Sequence, residues 1–230
     1  MKRPLKLITI SDGYMKKRYS TIICMAVPII LILTSMTALA GVAPIDTEPY
    51  SLISVPTADV SRYGDFTIGY SQAGKRMALG FTYGLTDEMQ VGMSASSYGD
   101  SNVDFSGAVK VRIKDEDSQQ PALALGLADN SVYAVASKKL LQVPGLRGHV
   151  GFGAGKFDGL FFGLTKVVNP VTIKSSKTSW SVPVVTFMAE MVRKELNFGA
   201  RLEFTPDFKV DIGVRGGGEL HMDAGYTMGF

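Results

Sequence analysis

Three features of this 230-residue chain suggest chemistry, and each departs from the pattern that the chemistry needs. The run Gly151–Lys156 (GFGAGK) is similar to a phosphate-binding loop, but Phe157 stands where that loop needs a Ser or Thr for magnesium. The run Gly92–Ser96 (GMSAS) lacks the final Gly of a serine-hydrolase elbow. His149 and His221 have no cysteine partners at a metal-ligand spacing. The sequence therefore predicts no catalytic residue, no metal site and no cofactor.

Composition and charge exclude several classes of protein. The chain is 46% hydrophobic and 20% charged, which excludes a disordered chain, and its one cysteine excludes a disulfide framework. Residues 1–40 hold six basic residues and one acidic residue, which leaves 18 basic and 20 acidic residues in 41–230. Because the net charge of +3 comes from the N-terminus, we expect no nucleic acid among the partners.

The N-terminal segment, residues 1–40, is typical of a secretory signal peptide. Met15–Arg18 (MKKR) is a positively charged start, and an apolar run follows over 21–36. Ala38 and Ala40 then form the small-x-small pattern that signal peptidase accepts. A signal of ordinary length begins at Met15, so both Met1 and Met15 are candidates for the true start.

Two alternatives to cleavage after Ala40 stay open. Signal peptidase could cleave after Ala43, which would remove Gly41 from the start of the mature chain. The apolar run could also remain as an uncleaved anchor, although it contains Pro28 and is shorter than the ~20 residues that span a bilayer. A cleaved and exported chain has no cysteine, so it has no thiol to protect in an oxidising compartment.

The mature chain alternates apolar and polar residues with a period of two. From Leu220 to Phe230 every second residue is apolar, and the stretches 208–214 and 196–204 follow the same pattern. Such alternation predicts β-strands with one apolar and one polar face. The pattern and its turns predict twelve strands: 65–71, 76–84, 90–96, 103–113, 122–127, 132–140, 146–153, 161–168, 183–192, 196–204, 208–214 and 220–230.

Two turns set the register of the last three strands. Residues 205–207 and 216–218 suit three-residue hairpin loops. The resulting register pairs opposite charges across the polar face: Arg201 with Asp211, Glu203 with Lys209, and Arg215 with Glu219. It also places Asp211 opposite Asp223, which is tolerable if Arg201 lies between the two carboxylates. The polar face is predicted to line an interior through eight residues: Arg201, Glu203, Lys209, Asp211, Arg215, Glu219, His221 and Asp223.

Alternation fits two architectures, a β-sandwich in water and a closed β-barrel in a membrane. Positions on the polar face are often small, as at Gly80, Gly92 and Ser94, which suits a crowded barrel interior. Closure also removes sheet edges, whose unpaired backbone groups are costly in hydrocarbon. We predict an all-β, antiparallel, up-and-down transmembrane barrel of about twelve strands over 65–230, preceded by a short lead-in over 41–64. A secreted or periplasmic sandwich that binds a ligand or partner is the alternative.

The C-terminus supports the barrel. The chain ends in YTMGF, in which Tyr226 and the terminal Phe230 resemble the signal that delivers outer-membrane barrels to their assembly machinery. Further aromatic residues near predicted strand ends are expected at the membrane interfaces: Tyr70, Tyr83, Phe204 and Phe208. The expected partners are therefore outer-membrane lipid and the barrel assembly machinery, and the expected location is the outer membrane.

Several stretches resemble YjbH-type outer-membrane proteins, a family tied to exopolysaccharide secretion. The similar segments are Ser54–Val60 (SVPTADV), Gly64–Tyr70 (GDFTIGY), Gly80–Gly92 (GFTYGLTDEMQVG), Pro121–Leu127 (PALALGL) and Tyr133–Lys138 (YAVASK). They cover about half of the mature chain and consist of strand and turn patterns without catalytic residues. The resemblance implies a short, single-barrel member with a non-enzymatic role in exopolysaccharide export or surface assembly, with polysaccharide or export-system components as partners.

One enzymatic alternative remains, in which the barrel modifies lipid. His221 could act as general base for a serine on a neighbouring strand, or it could simply be hydrogen-bonded among interior Arg and Asp residues. The interior itself has two interpretations: its mixed charges could line a path for polar solutes or sugars, or they could close the lumen with salt bridges. A barrel of twelve strands is narrow enough for either.

Overall fold

The computed structural model describes residues 51–99, 103–170, 173–174 and 181–230. The predicted signal peptide, with Ala38 and Ala40, and residues 41–50 of the lead-in lie outside the described residues. Among the residues that are described, no helix is long and apolar enough to cross a membrane.

Strands account for most of the described chain, and twelve of them form one closed antiparallel sheet. The twelve are β1 (Phe66–Ala73), β2 (Arg76–Thr86), β3 (Met89–Tyr98), β4 (Asp104–Lys114), β5 (Ala122–Ala128), β6 (Ser131–Lys139), β7 (Leu146–Ala154), β8 (Gly159–Val167), β11 (Val184–Val192), β12 (Glu195–Glu203), β13 (Phe208–Arg215) and β14 (Glu219–Met228). Two short strands, β9 (Ile173–Lys174) and β10 (Ser181–Val182), pair with each other between β8 and β11. A single 3₁₀ turn, Gly155–Phe157, separates β7 from β8.

The sheet closes because β1 pairs with β14, with Thr67 opposite Thr227. All other neighbours in the barrel are successive in the chain, apart from β8 and β11, which flank the short β9–β10 pair. The predicted barrel is therefore confirmed, and each predicted strand lies within two residues of an observed one at both ends. The sandwich alternative is wrong, because a sheet closed on itself has no second sheet to pack against.

The register predicted for the last three strands is also confirmed. Arg201 pairs with Asp211 and Glu203 with Lys209 across β12 and β13. The next hairpin places Asp211 opposite Asp223, as the turn lengths require. Arg201 binds one of these two carboxylates, since its Nε and Nη2 donate to Asp211 at 2.8 and 2.6 Å. Asp223 is instead bonded to His221 Nε2, at 2.5 Å, so each carboxylate of the like-charge pair has its own partner.

The outward face of the barrel is a continuous apolar surface. Leu79, Phe152 and Phe198 are among its most exposed members, and each alternates with a smaller or polar inward neighbour. Further exposed apolar residues surround the barrel on other strands: Ile68, Tyr70, Phe81, Met93, Leu125, Val132, Val150, Phe162, Leu164, Phe187, Leu196, Ile212, Val214, Leu220 and Met222. A soluble protein rarely exposes so large an apolar patch, whereas a barrel in hydrocarbon requires one.

The two ends of the barrel differ in their connections. We call the end where β1 begins and β14 ends the terminal end, and the opposite end the turn end. Connections at the turn end are short, for example 74–75 and 129–130. The longest connections, 115–121 and 168–183, lie at the terminal end.

Outer-face aromatic residues lie near both ends of the barrel, and most of those predicted at the membrane interfaces are near the terminal end. Tyr83, Phe208 and Tyr226 all lie close to it, and Phe208 is directly opposite Tyr226. The rings of Phe204 and Phe208 are 5.8 Å apart. Tyr70 departs from the prediction, because it is the fifth of the eight residues of β1 and so lies away from a strand end.

Candidate functional site

Most of the lead-in that the structure describes lies inside the barrel, and only Arg62 and Tyr63 are exposed at its rim. Residues 51–64, here called the inner segment, contain six almost fully buried apolar residues: Leu52, Ile53, Val55, Pro56, Ala58 and Val60. Their burial comes from the barrel wall, since their polar and apolar contacts are with inward-facing residues of the strands. The inner segment therefore lies in the lumen and packs against the barrel wall, a position that the sequence analysis did not predict.

Apolar packing accounts for one part of the contact. Leu52, Ile53 and Val55 share a buried cluster with inward residues of β5, β6, β8 and β11, including Tyr133 and Phe161. Further members of the cluster are Ala58, Ala122, Ala124, Val135, Phe157, Met188 and Val192. The lumen thus contains a hydrophobic core. The polar interior predicted from the last three strands thus faces an apolar cluster on another side of the barrel.

Glycines in the wall provide the space for this packing. A Cβ on Gly163 would lie 2.8 Å from Leu52 Cδ2, and a Cβ on Gly199 would lie 2.9 Å from Ile53 Cδ1. Gly213 similarly borders Ile53, at 3.0 Å. A Cβ at any of these positions would force the end of the Leu52 or Ile53 side chain to shift, so the glycines leave room for the apolar residues of the inner segment.

A buried carboxylate binds the innermost turn of the segment. Glu190 Oε2, on β11, accepts the backbone N–H groups of Ile53, Ser54 and Val55 at 3.1, 3.0 and 2.9 Å. Its other oxygen accepts the side-chain amide of Asn197 at 2.7 Å. Three successive N–H groups that converge on one oxygen form an anion-binding nest, here filled by the wall of the barrel.

Two arginines bind the carbonyl oxygens of the same turn. Arg201 Nη2 donates to Ser51 O at 2.8 Å, and Arg215 Nη2 donates to Ile53 O at 3.2 Å. The turn is closed internally by Leu52 N–H, which donates to Val55 O at 2.8 Å. Because buried backbone groups must find partners, the wall replaces the water that these groups would lose.

The middle of the inner segment is held by β6 and β7. Ser137 Oγ accepts the N–H of Ala58 at 2.9 Å and lies 2.8 Å from His149 Nδ1. Ser137 and His149 are both buried, and His149 Nε2 is 3.5 Å from Thr165 Oγ1. This Ser–His pair is covered by the inner segment and has its hydroxyl engaged, so we assign it a structural role.

An ion-pair group holds the segment nearer the terminal end. Arg147 Nη1 is 2.6 Å from Asp59 Oδ2, and Arg147 Nη2 is 3.1 Å from Glu116 Oε2 in the connection between β4 and β5. Lys110 Nζ donates to the backbone carbonyl of Asp59 at 3.2 Å. Burial opposes the charge on Asp59, but the hydrogen bond and positive charge of Arg147 outweigh it, so the pKa of Asp59 is lowered from its ordinary value of 3.8.

This lowered pKa predicts how the seating of the inner segment depends on pH. Because its pKa is lowered in the seated state, the Asp59 carboxylate stabilises that state fully at any pH above its ordinary pKa of 3.8. This stabilisation is lost as the pH falls through the lowered pKa of the seated state. We expect conductance in planar bilayers to stay low at pH 5–7 and to rise below about pH 4. Asp59→Asn should raise the conductance at neutral pH and reduce its rise on acidification; an unchanged pH profile would contradict the assignment.

The segment leaves the lumen at the terminal end. Gln90 Oε1, on β3, accepts Ser61 N–H at 2.8 Å. Gly64 N–H donates to Gly84 O, and Gly84 N–H donates to Asp65 O, both at 3.0 Å. From this rim the segment reaches past the middle of the barrel to Glu190, so it occupies much of the height of the lumen.

The structure places the eight predicted interior residues on the inward face, with different degrees of burial. Asp211 and His221 are buried, whereas Arg201, Glu203, Lys209, Arg215 and Asp223 are half-buried. Glu219 is exposed at the turn end, where it borders Gly74. Arg201 and Arg215 both donate to carbonyl oxygens of the inner segment, in the same turn.

His221 is bonded to an acid and not to a serine. Its Nε2 is 2.5 Å from Asp223 Oδ2. In the described part of the chain, His221 Nδ1 and the hydroxyl of Ser71 on neighbouring β1 have no hydrogen-bond partner, so they are not bonded to each other. The structure therefore does not assemble the His–Ser pair that the lipid-modifying alternative requires.

Several residues of the site were missed by sequence analysis. Those that bind the inner segment without having been predicted are Gln90, Lys110, Ser137, Arg147 and Glu190. One signal was present in the sequence: β8 (GLFFGLTKV) is apolar on both faces, and an inward Phe161 needs an apolar partner inside the barrel. The contacts to backbone groups of the inner segment have no comparable sequence signature.

Of the two residues of the predicted assembly signal, Tyr226 lies in β14 and faces outward, and Phe230 follows the strand and is almost fully exposed. Phe230 O would lie 3.0 Å from a Cβ on Gly64, so the C-terminus adjoins the point where the inner segment joins the wall.

Comparison with known proteins gives similarity at the level of fold. No protein-family model and no curated protein matches the sequence. Among solved structures, the chain is similar to the KdgM porin, with a TM-score of 0.45 and 8% identity over 72% of this chain and 99% of that one. It is also similar to the Acinetobacter baumannii outer membrane protein Omp33, with a TM-score of 0.42 and 9% identity over 73% and 98% of the chains. For the NanC porin the TM-score is 0.38, at 12% identity over 72% and 98%.

Proposed function

We propose that this chain is a non-enzymatic outer-membrane β-barrel of the bacterial envelope, closed at rest by its own inner segment. The observation that carries the proposal is the seating of residues 51–64 in the lumen, with their buried N–H and C=O groups bonded to the wall. A barrel filled in this way is not an open pore, and its passage is available only when the inner segment moves.

The outer-membrane location is supported by the surface. The exposed apolar residues cover the outward face of a sheet without edges, which is the arrangement that a lipid environment selects. Outer-membrane lipid would then contact this face. The aromatic C-terminus, ending in Phe230, would direct the chain to the barrel assembly machinery after export and removal of residues 1–40.

The biological role that we propose is exopolysaccharide export or surface assembly. It rests on the resemblance to YjbH-type proteins in segments such as Ser54–Val60 and Gly80–Gly92. The first of these lies in the inner segment, and the second spans β2, β3 and their turn, where Gln90 binds Ser61. The resembling stretches thus include both the segment and part of the wall that receives it.

Cell fractionation followed by gel electrophoresis tests the proposed location and fold. We expect the protein in the outer-membrane fraction, and we expect the sample kept cold in detergent to migrate differently from the boiled sample, because a closed barrel resists unfolding by cold detergent. A soluble protein without a heat-dependent shift would contradict the proposal. Loss of surface polysaccharide in a deletion strain, restored by the intact gene, then tests the role in export.

A further inference from the structure

Resting on the proposed function, we infer that the wall around the inner segment is a binding site for a polysaccharide that contains uronic acids. The inner segment occupies this site at rest as an internal substitute for the saccharide. The inference comes from the chemistry that the wall presents to the segment, taken group by group.

The wall presents cations to oxygen atoms. Four cationic side chains from four strands bind oxygens of the inner segment: Lys110 on β4, Arg147 on β7, Arg201 on β12 and Arg215 on β13. Three of the four bind backbone carbonyl oxygens, which are neutral acceptors that a sugar hydroxyl or ring oxygen can replace. The fourth, Arg147, binds a carboxylate, that of Asp59, at 2.6 Å.

The wall also presents acceptors to N–H groups. Glu190 Oε2 accepts three converging N–H groups, Ser137 Oγ accepts one, and Gln90 Oε1 accepts another. Sugar hydroxyls can donate to each of these acceptors. A chain of hydroxylated rings that carries a carboxylate at the position of Asp59 would therefore satisfy the same wall groups as the inner segment does.

Aromatic rings next to these polar groups would support the same ligand. Tyr133, Phe157 and Phe161 are buried on the inward side, with ring centroids 4.8 Å apart for the first two and 5.8 Å apart for the last two. They pack against the apolar side chains of the inner segment. The C–H faces of sugar rings pack on aromatic rings, so this apolar side of the lumen is compatible with a saccharide as well as with Leu52 and Val55.

Charge favours an acidic saccharide over a neutral one. Four cations but only two carboxylates, Glu190 and Asp87, contact the inner segment directly. Withdrawal of the segment also removes Asp59, the acid that the segment itself contributes to the lumen. The vacated wall is then more positive than the occupied wall, and a uronate would restore the balance at Arg147.

The test opens the lumen without altering the wall. Ile53→Asp with Val55→Asp places charges on two residues that are almost fully buried, and the second lies beside Glu190. Both substitutions are in the inner segment, so all the wall groups stay in place. Val55→Asp alone serves as a milder variant, and the heat-dependent shift on gels shows that each barrel is folded.

Block of the conductance of the opened variant in planar bilayers then reports binding. An alginate hexamer supplies the uronate, maltohexaose is the neutral hexamer, and a peptide with the sequence of residues 51–61 is the third probe. We expect the alginate hexamer to block at a concentration at least tenfold below that of maltohexaose. Arg147→Gln in the opened chain should weaken block by alginate about tenfold and leave maltohexaose unchanged, whereas exposed Arg193→Gln should change neither.

Two failures are distinguishable. If the opened variants are folded but conduct no more than the natural chain, the proposed closure at rest is wrong, and this inference fails with it. If conductance rises but the two hexamers block equally, or Arg147→Gln has no effect, the ligand class alone is overturned. Block by the peptide with no block by either hexamer would show that the wall recognises the inner segment only, which also overturns the inference.

Discussion

Replacing Glu190 by alanine is expected to release the inner segment from the lumen. The substitution leaves three buried N–H groups, those of Ile53, Ser54 and Val55, without their acceptor. Hydrogen bonds to a charged group contribute about 1.5–3 kcal/mol each, and a buried donor left without its acceptor costs about 1–3 kcal/mol. A loss of about 3 kcal/mol raises the population of the unseated segment by roughly 100-fold.

Thiol labelling measures this population directly. The variant Val55→Cys has a single cysteine once the predicted signal peptide, which contains Cys24, is removed. Because Val55 is fully buried, a water-soluble maleimide reaches the new thiol only when the segment has left its site. We expect Glu190→Ala to raise the labelling rate by roughly 100-fold. The control is Glu195→Ala, a change of an exposed glutamate on the next strand. Equal labelling rates in the two variants would contradict the role of Glu190.

Replacing Gly84 by alanine is expected to displace the other end of the inner segment. A Cβ on Gly84 would overlap the backbone carbonyl of Arg62 and lie 3.1 Å from Ser61 O. The obstructing atoms are backbone, so they cannot move aside as a flexible side chain would. Overpacking of this kind typically costs about 1–3 kcal/mol, and we expect the bond between Ser61 N–H and Gln90 to break.

The measurement is again thiol labelling, in the variant Ser61→Cys, because Ser61 is fully buried in the seated state. Gly84→Ala should raise its labelling rate about tenfold or more, while the barrel keeps its heat-dependent shift on gels. Gly148→Ala is the matched control, since a Cβ there meets its nearest neighbour at 3.8 Å. A labelling rate for Gly84→Ala equal to that of the control would show that the segment does not pass this point.

The wall of the barrel could be predicted because its signals are local. Period-two alternation locates strands, and a turn of known length determines which residues face each other, as with Arg201 and Asp211. Each of these signals depends on residues a few positions apart. Closure follows from the same patterns, since twelve strands with an apolar outer face in hydrocarbon must have no edge.

The content of the lumen could not be predicted in the same way. Glu190 lies 137 residues from Ile53, and its carboxylate binds backbone N–H groups, which every residue except proline possesses. Such a contact requires no particular residue type in the segment, so the sequence does not reveal it. Strands such as β8, which are apolar on both faces, do require an apolar partner within the barrel, but they do not say which part of the chain provides it.

The lumen has a different character on its two sides. The polar interior was predicted from the C-terminal strands, where Arg201, Asp211 and His221 do face inward. The patterns of those strands do not indicate the apolar cluster at β5, β6, β8 and β11, whose inward residues share it with Leu52, Ile53 and Val55. An interior that holds a piece of its own chain can be polar on one side and apolar on the other.

Disulfide trapping tests the central claim, that residues 51–64 lie inside the barrel, most directly. The cysteine pair Ala58→Cys and Ser137→Cys joins the segment to β6, where Ala58 N is 2.9 Å from Ser137 Oγ. The control pair is Ala58→Cys and Ser71→Cys, because Ser71 lies on β1, on the other side of the barrel. We predict that mild oxidation of outer-membrane fractions links the first pair within one chain and leaves the second pair reduced. If the thiols at 58 and 137 stay free and react with a bulky maleimide while the barrel is folded, the inner segment is not in the lumen and the account is wrong.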